Sequence, residues 1–209
     1  MKGTLFVISS PSGGGKTSLV KKLLETVDNI VLSVSHTTRP PRPAERQHID
    51  YHFIDAAEFE AMCNANEFLE HATVFGNRYG TSHKEVTKVL ERGTDVILDI
   101  DWQGAEQIRS RMPDSVNIFI VPPSRHVLER RLRDRGTDSP EVIDERMRAA
   151  SAEISHYREF EYLLVNDDFA QATVELRLIV LACRLRTPVQ SARHDDLIRE
   201  LLADAGSIE

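Results

Sequence analysis

Eight residues near the start of the chain have the types and the order needed to hold phosphate groups. They read SPSGGGKT, from Ser10 to Thr17, and directly follow the apolar run Leu5–Ile8. The three glycines would let successive backbone N–H groups converge on phosphate oxygens, the lysine adds charge for the β- and γ-phosphates, and the threonine hydroxyl suits Mg²⁺. This order predicts a loop that binds a nucleoside triphosphate.

The residues that flank the loop support this prediction. Residues 18–25, SLVKKLLE, have apolar side chains at helical spacing, so the loop would open a helix whose positive N-terminal end faces the anion. Ser10 stands where the general motif begins with glycine, but that glycine serves the turn and not the phosphate contact. The alternative is that these residues form only a flexible glycine-rich turn before a lysine. Such a turn would need no strand before it and no helix after it, so the flanking patterns favour the nucleotide-binding loop. The expected nucleotide contacts are Ser12, Gly13, Gly14, Gly15, Lys16, Thr17 and Ser18.

Two carboxylates follow an apolar run later in the chain. Residues 96–101 read VILDID and end in Asp99 and Asp101, which strand alternation would put on one face. An acidic residue at a strand end holds the waters of Mg²⁺ in loop-type nucleotide enzymes. We therefore predict Thr17, Asp99 and Asp101 as metal ligands. The alternative is that the two aspartates cap a following helix near Gly104.

Arginines are concentrated between positions 125 and 148. Most of a charged helix is ordinarily a solvated face, and Glu129 with Arg133 is a common i,i+4 ion pair. Arg131 and Arg135 also lie four residues apart, but as like charges. An anion would relieve their repulsion, and phosphoryl transfer needs cations around its equatorial oxygens.

Composition limits the class of protein. The chain has 209 residues, a formal net charge of −7 and two distant cysteines, Cys63 and Cys183. We expect one α/β domain, reduced thiols in the cytoplasm, and neither nucleic acid nor a membrane as a partner. We also expect no export signal or membrane anchor, since no charged and apolar leader precedes Leu5 and no apolar run has membrane-spanning length. His48 and His52 have no third ligand, which argues against a metal site there.

Short apolar runs alternate with helical patterns along the chain. This alternation predicts a parallel sheet covered by helices on both faces, with ligands at the carboxyl ends of its strands. The predicted strands are 5–9, 30–35, 96–101, 118–121 and 162–165. The predicted helices are 18–26, 104–111, 125–135, 140–157 and 170–185.

Three stretches depart from the alternation. Residues 36–81 contain a Pro/Arg-rich segment and short alternating runs around a helix that begins near Asp55, and they predict a small mixed insertion. Residues 135–140 form a polar loop with the features of a lid, in which Ser139 would be an N-cap and Pro140 the first helical residue. From position 187 a polar link leads to an amphipathic helix, which predicts packing or self-association through Leu197, Ile198, Leu201 and Leu202.

Seven further segments are spread over nearly the whole chain: 33–42, 50–53, 68–70, 76–81, 98–104, 135–136 and 165–168. Together they resemble the guanylate kinases and most of all the bacterial ones. The resemblance implies a P-loop α/β fold, that is, a parallel sheet flanked by helices with a small mixed α+β nucleotide-binding insertion and a helical lid. It implies a single domain over 1–209, with a core of 1–34, 82–124 and 149–209, an insertion of 35–81 and a lid of 125–148.

The resemblance also implies a GMP site. A carboxylate can accept hydrogen bonds from the adjacent N1–H and 2-amino donors of guanine, whereas adenine has an acceptor at N1. Glu70 matches the family position for this contact, and forked guanidinium groups and phenols suit the GMP phosphate. Considered without the resemblance, Glu70 would be read as a solvated strand carboxylate. The implied GMP-binding residues are Ser35, Arg39, Arg42, Tyr51, Glu70, Tyr79, Thr81 and Asp101.

The implied reaction is direct in-line transfer of the γ-phosphoryl group of MgATP to GMP, and also to dGMP, as part of purine nucleotide metabolism. It needs no covalent enzyme intermediate. Asn166 matches a family position near the adenine, although Asp167 and Asp168 could simply cap the last helix. The implied catalytic residues are Lys16, Arg39, Arg131, Arg135 and Arg146.

Three other interpretations stay open. One is a non-catalytic guanylate kinase-like binding module, which the intact Lys16 and Thr17 oppose. A second is a related kinase of a ribose bisphosphate, which has no need of Glu70. The third is a loop-type regulatory ATPase coupled to nucleic acid, which the acidic balance disfavours. The expected partners are ATP with GMP or dGMP, and the tail permits a homodimer.

Overall fold

Two β-sheets organise the chain. The structure, a computed structural model, describes residues 2–134, 136 and 139–204. The main sheet has five parallel strands in the order β2-β7-β1-β8-β9. These strands are β1 (Leu5–Ser9), β2 (Ile30–Leu32), β7 (Asp95–Asp99), β8 (Val116–Val121) and β9 (Tyr162–Val165).

A second, four-stranded sheet lies within residues 36–82 and has the order β4-β3-β6-β5. Its strands β3 and β4 are parallel, whereas β6 runs antiparallel to both of its neighbours. The insertion therefore has mixed pairing, as expected from its short alternating runs. The strands are β3 (His36–Thr37), β4 (His52–Phe53), β5 (Phe68–Val74) and β6 (Asn77–Ser82).

Nine α-helices occur in the described part of the chain. None of them is long and apolar enough to cross a membrane. They are α1 (Lys16–Thr26), α2 (Ala56–Asn64), α3 (His83–Glu91), α4 (Trp102–Arg111), α5 (Arg125–Asp134), α6 (Pro140–Ser155), α7 (Phe169–Arg184), α8 (Thr187–Arg193) and α9 (Asp195–Asp204).

Alternation along β1 builds the core on both faces of the main sheet. Phe6 and Ile8 pack in a cluster with α1 and α7, whereas Leu5 and Val7 pack in another with α3 and α4. All five residues of β1 are buried, as expected of a central parallel strand. This arrangement confirms the predicted α/β class, with a parallel sheet covered on both faces.

A third hydrophobic cluster is formed by α5 and α6 alone. Leu128 and Leu132 of α5 pack against Ile143, Met147 and Ala150 of α6. These two helices therefore have a small core of their own, next to the glycine-rich loop.

Local rules explain most helix boundaries. The side chains of Asp55, Ser82, Asp101 and Asp168 each accept a hydrogen bond from the backbone N–H three residues later, at the starts of α2, α3, α4 and α7. Ser139 is the N-cap of α6 with Pro140 in the first turn, as predicted.

Several predicted boundaries were wrong. The strand predicted to reach Ser35 ends at Leu32, and the helix predicted to reach Tyr157 gives way at His156 to a short 3-10 turn. The link predicted after Thr187 contains α8, because Pro188 suits a first helical turn and the amide of Gln190 donates to Arg184 O at 2.7 Å. The apolar run 96–101 leaves the sheet at Asp99, so strand alternation does not extend to Asp101.

Candidate active site

A cleft opens where β1 and β7 end, between the main sheet, the insertion and α6. It brings together residues that are far apart in the sequence: Ser12 contacts Arg146, 134 positions away, and Glu153, 141 positions away. The predicted site residues that line it are Ser12, Gly13, Gly14, Gly15, Lys16, Thr17, Ser35, Arg39, Arg42, Tyr51, Glu70, Tyr79, Asp99, Asp101 and Arg146.

Glycine is needed at two positions of the loop. Gly13 and Gly15 both have φ = 92°, in the left-handed region that residues with a Cβ rarely adopt. At Gly15, the N-cap of α1, a Cβ would also lie 2.1 Å from Nδ2 of Asn166. The loop thus delivers its backbone N–H groups to the positive end of α1, an arrangement suited to phosphate oxygens.

Lys16 and Thr17 converge on Asp99 at the end of β7. The ammonium of Lys16 lies 2.6 Å from Oδ1 of Asp99 and donates to Ile100 O at 2.8 Å. The Thr17 hydroxyl donates to Oδ2 of the same carboxylate at 3.3 Å. A hydroxyl and a carboxylate are hard oxygen ligands, which fit Mg²⁺.

No group of three or more His, Cys, Asp or Glu side chains that could hold a metal ion occurs among the described residues. Mg²⁺ does not need such a group, since it is commonly held by one or two carboxylates and the phosphates of the substrate. Thr17 and Asp99 therefore have the chemistry that a nucleotide-bound Mg²⁺ requires.

Asp101 has a different local role from Asp99. Its Oδ1 accepts the backbone N–H of Gly104 at 3.0 Å and its Oδ2 accepts from the amide of Gln103 at 2.9 Å. These are the contacts of a helix N-cap, which was the alternative for this pair of aspartates. The structure thus joins Asp99 to Thr17, and Asp101 to the start of α4.

Glu70 is a buried carboxylate on β5, only 2% exposed, and not the solvated side chain that its strand pattern alone suggests. Its Oε1 accepts a hydrogen bond of 2.5 Å from the hydroxyl of Thr81 on β6. Burial raises the pKa of Glu70 to about 7, the negative charge of Asp101 adds to this rise, and the Thr81 hydrogen bond opposes it. A buried acceptor of this kind is well suited to neighbouring N–H donors of a ligand.

Arg39 is held in the cleft by an acidic partner that the sequence interpretation missed. One guanidinium nitrogen of Arg39 donates to both carboxylate oxygens of Glu45, at 2.8 and 2.9 Å. Glu45 also accepts from the backbone N–H of Arg42 at 2.8 Å. The sequence does contain a sign of this contact, since Glu45 is the single acidic residue in the arginine-rich segment 39–46, RPPRPAER.

Two tyrosines complete this side of the cleft. The guanidinium carbon of Arg39 lies 5.4 Å from the ring centre of Tyr51, and the rings of Tyr51 and Tyr79 meet edge to face at 6.0 Å. Burial, with the nearby charge of Asp99, raises the pKa of Tyr51 to about 12. The phenol therefore stays protonated at neutral pH and remains a hydrogen-bond donor.

Helix α6 contacts the loop directly through two side chains. Arg146 donates to Oγ of Ser12 at 2.8 Å, and Glu153 accepts the backbone N–H of Ser12 at 3.1 Å. Burial raises the pKa of the Glu153 carboxyl. The sequence interpretation missed Glu153, because a carboxylate on a charged helix carries no sign of a contact 141 residues away.

Arg131 and Asn166 lie beside the loop and do not line the cleft. Arg131 donates to Asn166 O at 2.9 Å, and Nδ2 of Asn166 donates to Gly14 O at 2.9 Å. Thr81 lies behind Glu70, and Ser18 is exposed in the first turn of α1. Arg135, predicted as a catalytic residue, lies outside the described residues.

An aromatic contact at the edge of the cleft was also missed. The rings of Trp102, at the start of α4, and His156, just after α6, stack with centroids 3.7 Å apart and planes 8° apart. His156 in turn contacts Glu159 through Nδ1 at 2.6 Å. This stack joins the end of α6 to the start of α4.

Comparisons with known proteins agree with this geometry. The family model described as guanylate kinase matches residues 2–182. The guanylate kinase of Alkalilimnicola ehrlichii is 54% identical over 202 residues, covering 97% of this chain and 100% of its own. That of Escherichia coli strain K12 is 55% identical over 205 residues, covering 97% and 99%.

A solved structure leads to the same family. The crystal structure of guanylate kinase from Anaplasma phagocytophilum superposes with a TM-score of 0.76 at 38% identity, over 89% of this chain and 88% of that one. With the family model spanning most of the sequence, the resemblance found in the sequence is confirmed, and the chain belongs to the guanylate kinase family.

Proposed function

We propose that this chain transfers the γ-phosphoryl group of ATP to GMP, giving ADP and GDP, as a step of purine nucleotide metabolism. The observation that carries the proposal is the shared cleft, in which the phosphate-binding loop with Lys16 faces the buried carboxylate of Glu70. One part of the cleft suits a nucleoside triphosphate and the other suits a guanine base. A direct transfer between two bound nucleotides needs both.

Glu70 is the proposed guanine reader. Its ionised carboxylate would accept the N1–H and the 2-amino group of guanine, while Thr81 fixes the orientation of Oε1. A site built around such hydrogen bonds discriminates by about 10⁴-fold or more against a base that cannot make them. Ser35 and Asp101 line the same cleft and complete the proposed GMP site. None of the proposed contacts involves the 2′-hydroxyl, so dGMP is proposed as a second acceptor.

Arg39, Arg42, Tyr51 and Tyr79 are proposed to hold the phosphate of GMP. Both carboxylate oxygens of Glu45 accept from one guanidinium nitrogen of Arg39, and this donor is the one that a phosphate oxygen would use. Forked N–H groups match both anions in geometry. In this proposal the incoming phosphate dianion competes with Glu45 for Arg39.

The loop is proposed to hold the β- and γ-phosphates of ATP through its backbone N–H groups and Lys16. Residues Ser12 to Ser18 surround the N-terminus of α1, where an anion is stabilised by the helix dipole. Asn166 supports the loop through Gly14 O, and its Oδ1 is buried with no hydrogen-bond partner in the part of the chain that the structure describes. That oxygen is an acceptor for the amino group of adenine in the proposed complex.

Mg²⁺ is the proposed cofactor, with Thr17 and Asp99 as the residues that hold it. Asp101, which caps α4, is proposed to act on the guanine side and on the metal only through water. When bound, the ion offsets negative charge on the phosphate oxygens. Asp99 also keeps the Lys16 ammonium at the loop, so that the cation is in position before the nucleotide arrives.

Arg131, Arg135 and Arg146 are the proposed cations around the migrating phosphoryl group. Arg146 already reaches Ser12 of the loop, and Arg131 contacts the carbonyl of Asn166. Cations fixed in this way stabilise the equatorial oxygens of the transferring group without reorganising during the reaction. Arg39 is proposed to do the same from the GMP side.

A three-part organisation within one domain of 1–209 is part of the proposal. The core would comprise 1–34, 82–124 and 149–209, the GMP-binding insertion 35–81, and the lid 125–148. The separate sheet of the insertion and the separate hydrophobic cluster of α5 and α6 support a division into these parts, while α6 itself continues past residue 148 to Ser155. Movement of the last two parts over the cleft would exclude water from the transfer.

Self-association and compartment complete the proposal. Leu197, Leu201 and Leu202 of α9 are 50% to 69% exposed, which suits a homodimer that covers this face. Sedimentation velocity of the whole chain and of a Leu201→Glu variant tests it, and identical monomer masses contradict it. Two free cysteines, Cys63 and Cys183, suit a reducing cytoplasm.

A panel of acceptors tests the proposed activity. ADP formation is measured with MgATP and each of GMP, dGMP, AMP, CMP, UMP and ribose bisphosphate. We expect turnover with the two guanine nucleotides. Turnover with ribose bisphosphate favours the related sugar kinase, and GMP binding without any turnover favours a non-catalytic module.

A further inference from the structure

The strand that carries Glu70 lies at the edge of its sheet. In the order β4-β3-β6-β5, β6 is the only described strand that pairs with β5. The register also shifts there, because Phe68 lies opposite Ser82 whereas Glu70 lies opposite Thr81, so one residue of β5 is unmatched. Such a bulge re-aims the side chains beside it, and pairing with β6 does not by itself fix the direction of Glu70.

Helix α4 covers the other edge of β5 with three polar side chains. Arg111 donates to the carbonyls of Phe68 and Leu69, at 3.0 and 2.6 Å. The amide of Gln107 donates to His71 O at 2.7 Å and accepts from His71 N at 3.2 Å. Gln103 donates to Thr73 O at 3.5 Å.

The spacing of these contacts follows from the geometry of the two elements. Gln103, Gln107 and Arg111 are four residues apart on one helix face, with a rise of about 6 Å between them. Residues i and i+2 of a strand lie about 6.6 Å apart, and their backbone groups face the same edge of the sheet. The helix therefore meets the strand residue by residue, in the antiparallel direction, on both sides of Glu70.

Gly104 lies on the same helix, where the carboxylate of Glu70 approaches the backbone. A Cβ at position 104 would lie 2.5 Å from Oε2 and 3.1 Å from Cδ of Glu70. The carboxylate thus occupies the space that any larger residue would fill. The backbone N–H of Gly104 is already used by the Asp101 cap, and an alanine would keep that bond.

We propose that α4 is a template that sets the position of the guanine-reading carboxylate. Gln107 and Arg111 hold the bulged edge of β5, and Gly104 leaves the space in which the Glu70 carboxylate lies. These three are positioning residues, since they act through Glu70 and not on the substrate. The inference rests on the proposed function, because it gives Glu70 the role of reading guanine.

Replacing Gly104 with alanine moves the carboxylate and leaves the helix in place. The colliding atom is the free end of a flexible side chain, which yields more readily than backbone. Alanine is also a better helix former than glycine. We therefore expect a folded protein in which Glu70 no longer reaches both donors of guanine.

Comparison of GMP with inosine monophosphate detects this change. The inosine base keeps N1–H but lacks the 2-amino group, so the preference for GMP depends on where both carboxylate oxygens lie. For Gly104→Ala we expect the ratio of kcat/KM for GMP to that for inosine monophosphate to fall about tenfold or more, while KM for MgATP changes less than about twofold. Gln107→Ala, which removes the two hydrogen bonds of this side chain to β5 and adds no overlap, should lower the ratio as well.

Glu106→Ala is the matched control, because Glu106 is exposed on the same helix between the tested positions. Thermal unfolding by circular dichroism shows which variants are folded, and if Gly104→Ala is not, Gln107→Ala decides. The inference is overturned if folded variants keep the wild-type ratio. It is also overturned if kcat/KM falls equally for GMP, inosine monophosphate and MgATP.

A wild-type chain without GMP turnover overturns the proposed function instead. In that case calorimetric binding of GMP and inosine monophosphate to the same variants decides the inference. A weaker preference for GMP in Gly104→Ala and Gln107→Ala supports the template, and an unchanged preference overturns it.

Discussion

Lys16, the first residue of α1, and Asp99, the last residue of β7, form an ion pair with 2.6 Å between Nζ and Oδ1. The pair joins the glycine-rich loop to the neighbouring strand across the open end of the main sheet. Both side chains are largely shielded, at 15% and 22% exposed. The cation of the loop is therefore oriented by the fold itself.

Lys16→Ala should abolish most of the phosphoryl transfer without unfolding the protein. Loss of one preorganised charge at a transferring group typically lowers kcat by about 10²–10³-fold. Steady-state ADP formation with saturating GMP and MgATP measures the change, and circular dichroism reports the fold. Lys22→Ala is the control, because Lys22 lies on the same helix and pairs with Glu25 at the surface. A folded Lys16→Ala protein with near-wild-type kcat would remove the loop from the mechanism.

Glu70 should make the stability of the free protein depend on pH. Burial raises its pKa from 4.5 to about 7 in the folded state, so the folded protein holds this proton more tightly than the unfolded chain does. The contribution of Glu70 to the free energy of unfolding therefore falls as the pH rises from about 4.5 to about 7, by on the order of 1–3 kcal/mol. Urea unfolding at pH 5 and pH 8 measures it.

The matched variant for this pH effect is Glu70→Gln, which keeps the shape and does not titrate. Its difference in unfolding free energy between pH 5 and pH 8 should be smaller than that of the wild-type protein. Equal pH dependence in the two proteins would mean that Glu70 is already ionised at pH 5 in the folded state.

Arg39→Lys should weaken the binding of GMP and leave the binding of ATP nearly unchanged. The planar guanidinium of Arg39 donates to Glu45 from one nitrogen and to Pro40 O from the other at 2.7 Å, a fork that an ammonium cannot reproduce. We expect KM for GMP to rise about tenfold or more, with KM for MgATP within about twofold of wild type. Arg46→Lys serves as the control, since the Arg46 side chain is 70% exposed in the same segment. An equal rise in both KM values would assign Arg39 a structural role.

His156→Ala should change the fluorescence of the protein. Trp102 is the single tryptophan of the sequence, and the stack on His156 shields one face of its indole. Loss of the stack should shift the emission maximum to longer wavelength and cost about 0.5–1.5 kcal/mol of stability. The exposed His126→Ala on α5 is the control. An unchanged emission maximum would contradict the stacked arrangement in solution.

The loop and the main strands could be predicted because their signals are local. The glycines within residues 10–17 let backbone N–H groups converge on a phosphate whatever lies elsewhere in the chain. The apolar run 5–8 is buried, as expected from its composition alone. The helix caps at Asp55 and Ser82 follow from a side chain and the backbone three residues later. Such features need no knowledge of distant neighbours.

The rest of the site depends on contacts that no local pattern records. Spacing could not decide whether Asp101 ends a strand or caps a helix, because an aspartate is compatible with both positions. Glu70 and Glu153 look like solvated carboxylates in the sequence, because only the folded chain places Thr81 beside Glu70 and Ser12 beside Glu153. The link after Thr187 was misread because polar composition outweighed the helix-starting role of Pro188.

Guanine recognition by Glu70 is tested most directly by comparing kcat/KM for GMP and for AMP in wild-type protein and in Glu70→Ala, with MgATP as donor. We expect the wild-type protein to prefer GMP by about 10⁴-fold or more. In the variant, that preference should fall steeply with little change in KM for MgATP. A wild-type protein that phosphorylates AMP as well as GMP, or a variant that keeps the full preference, would contradict the claim that the cleft reads guanine through Glu70.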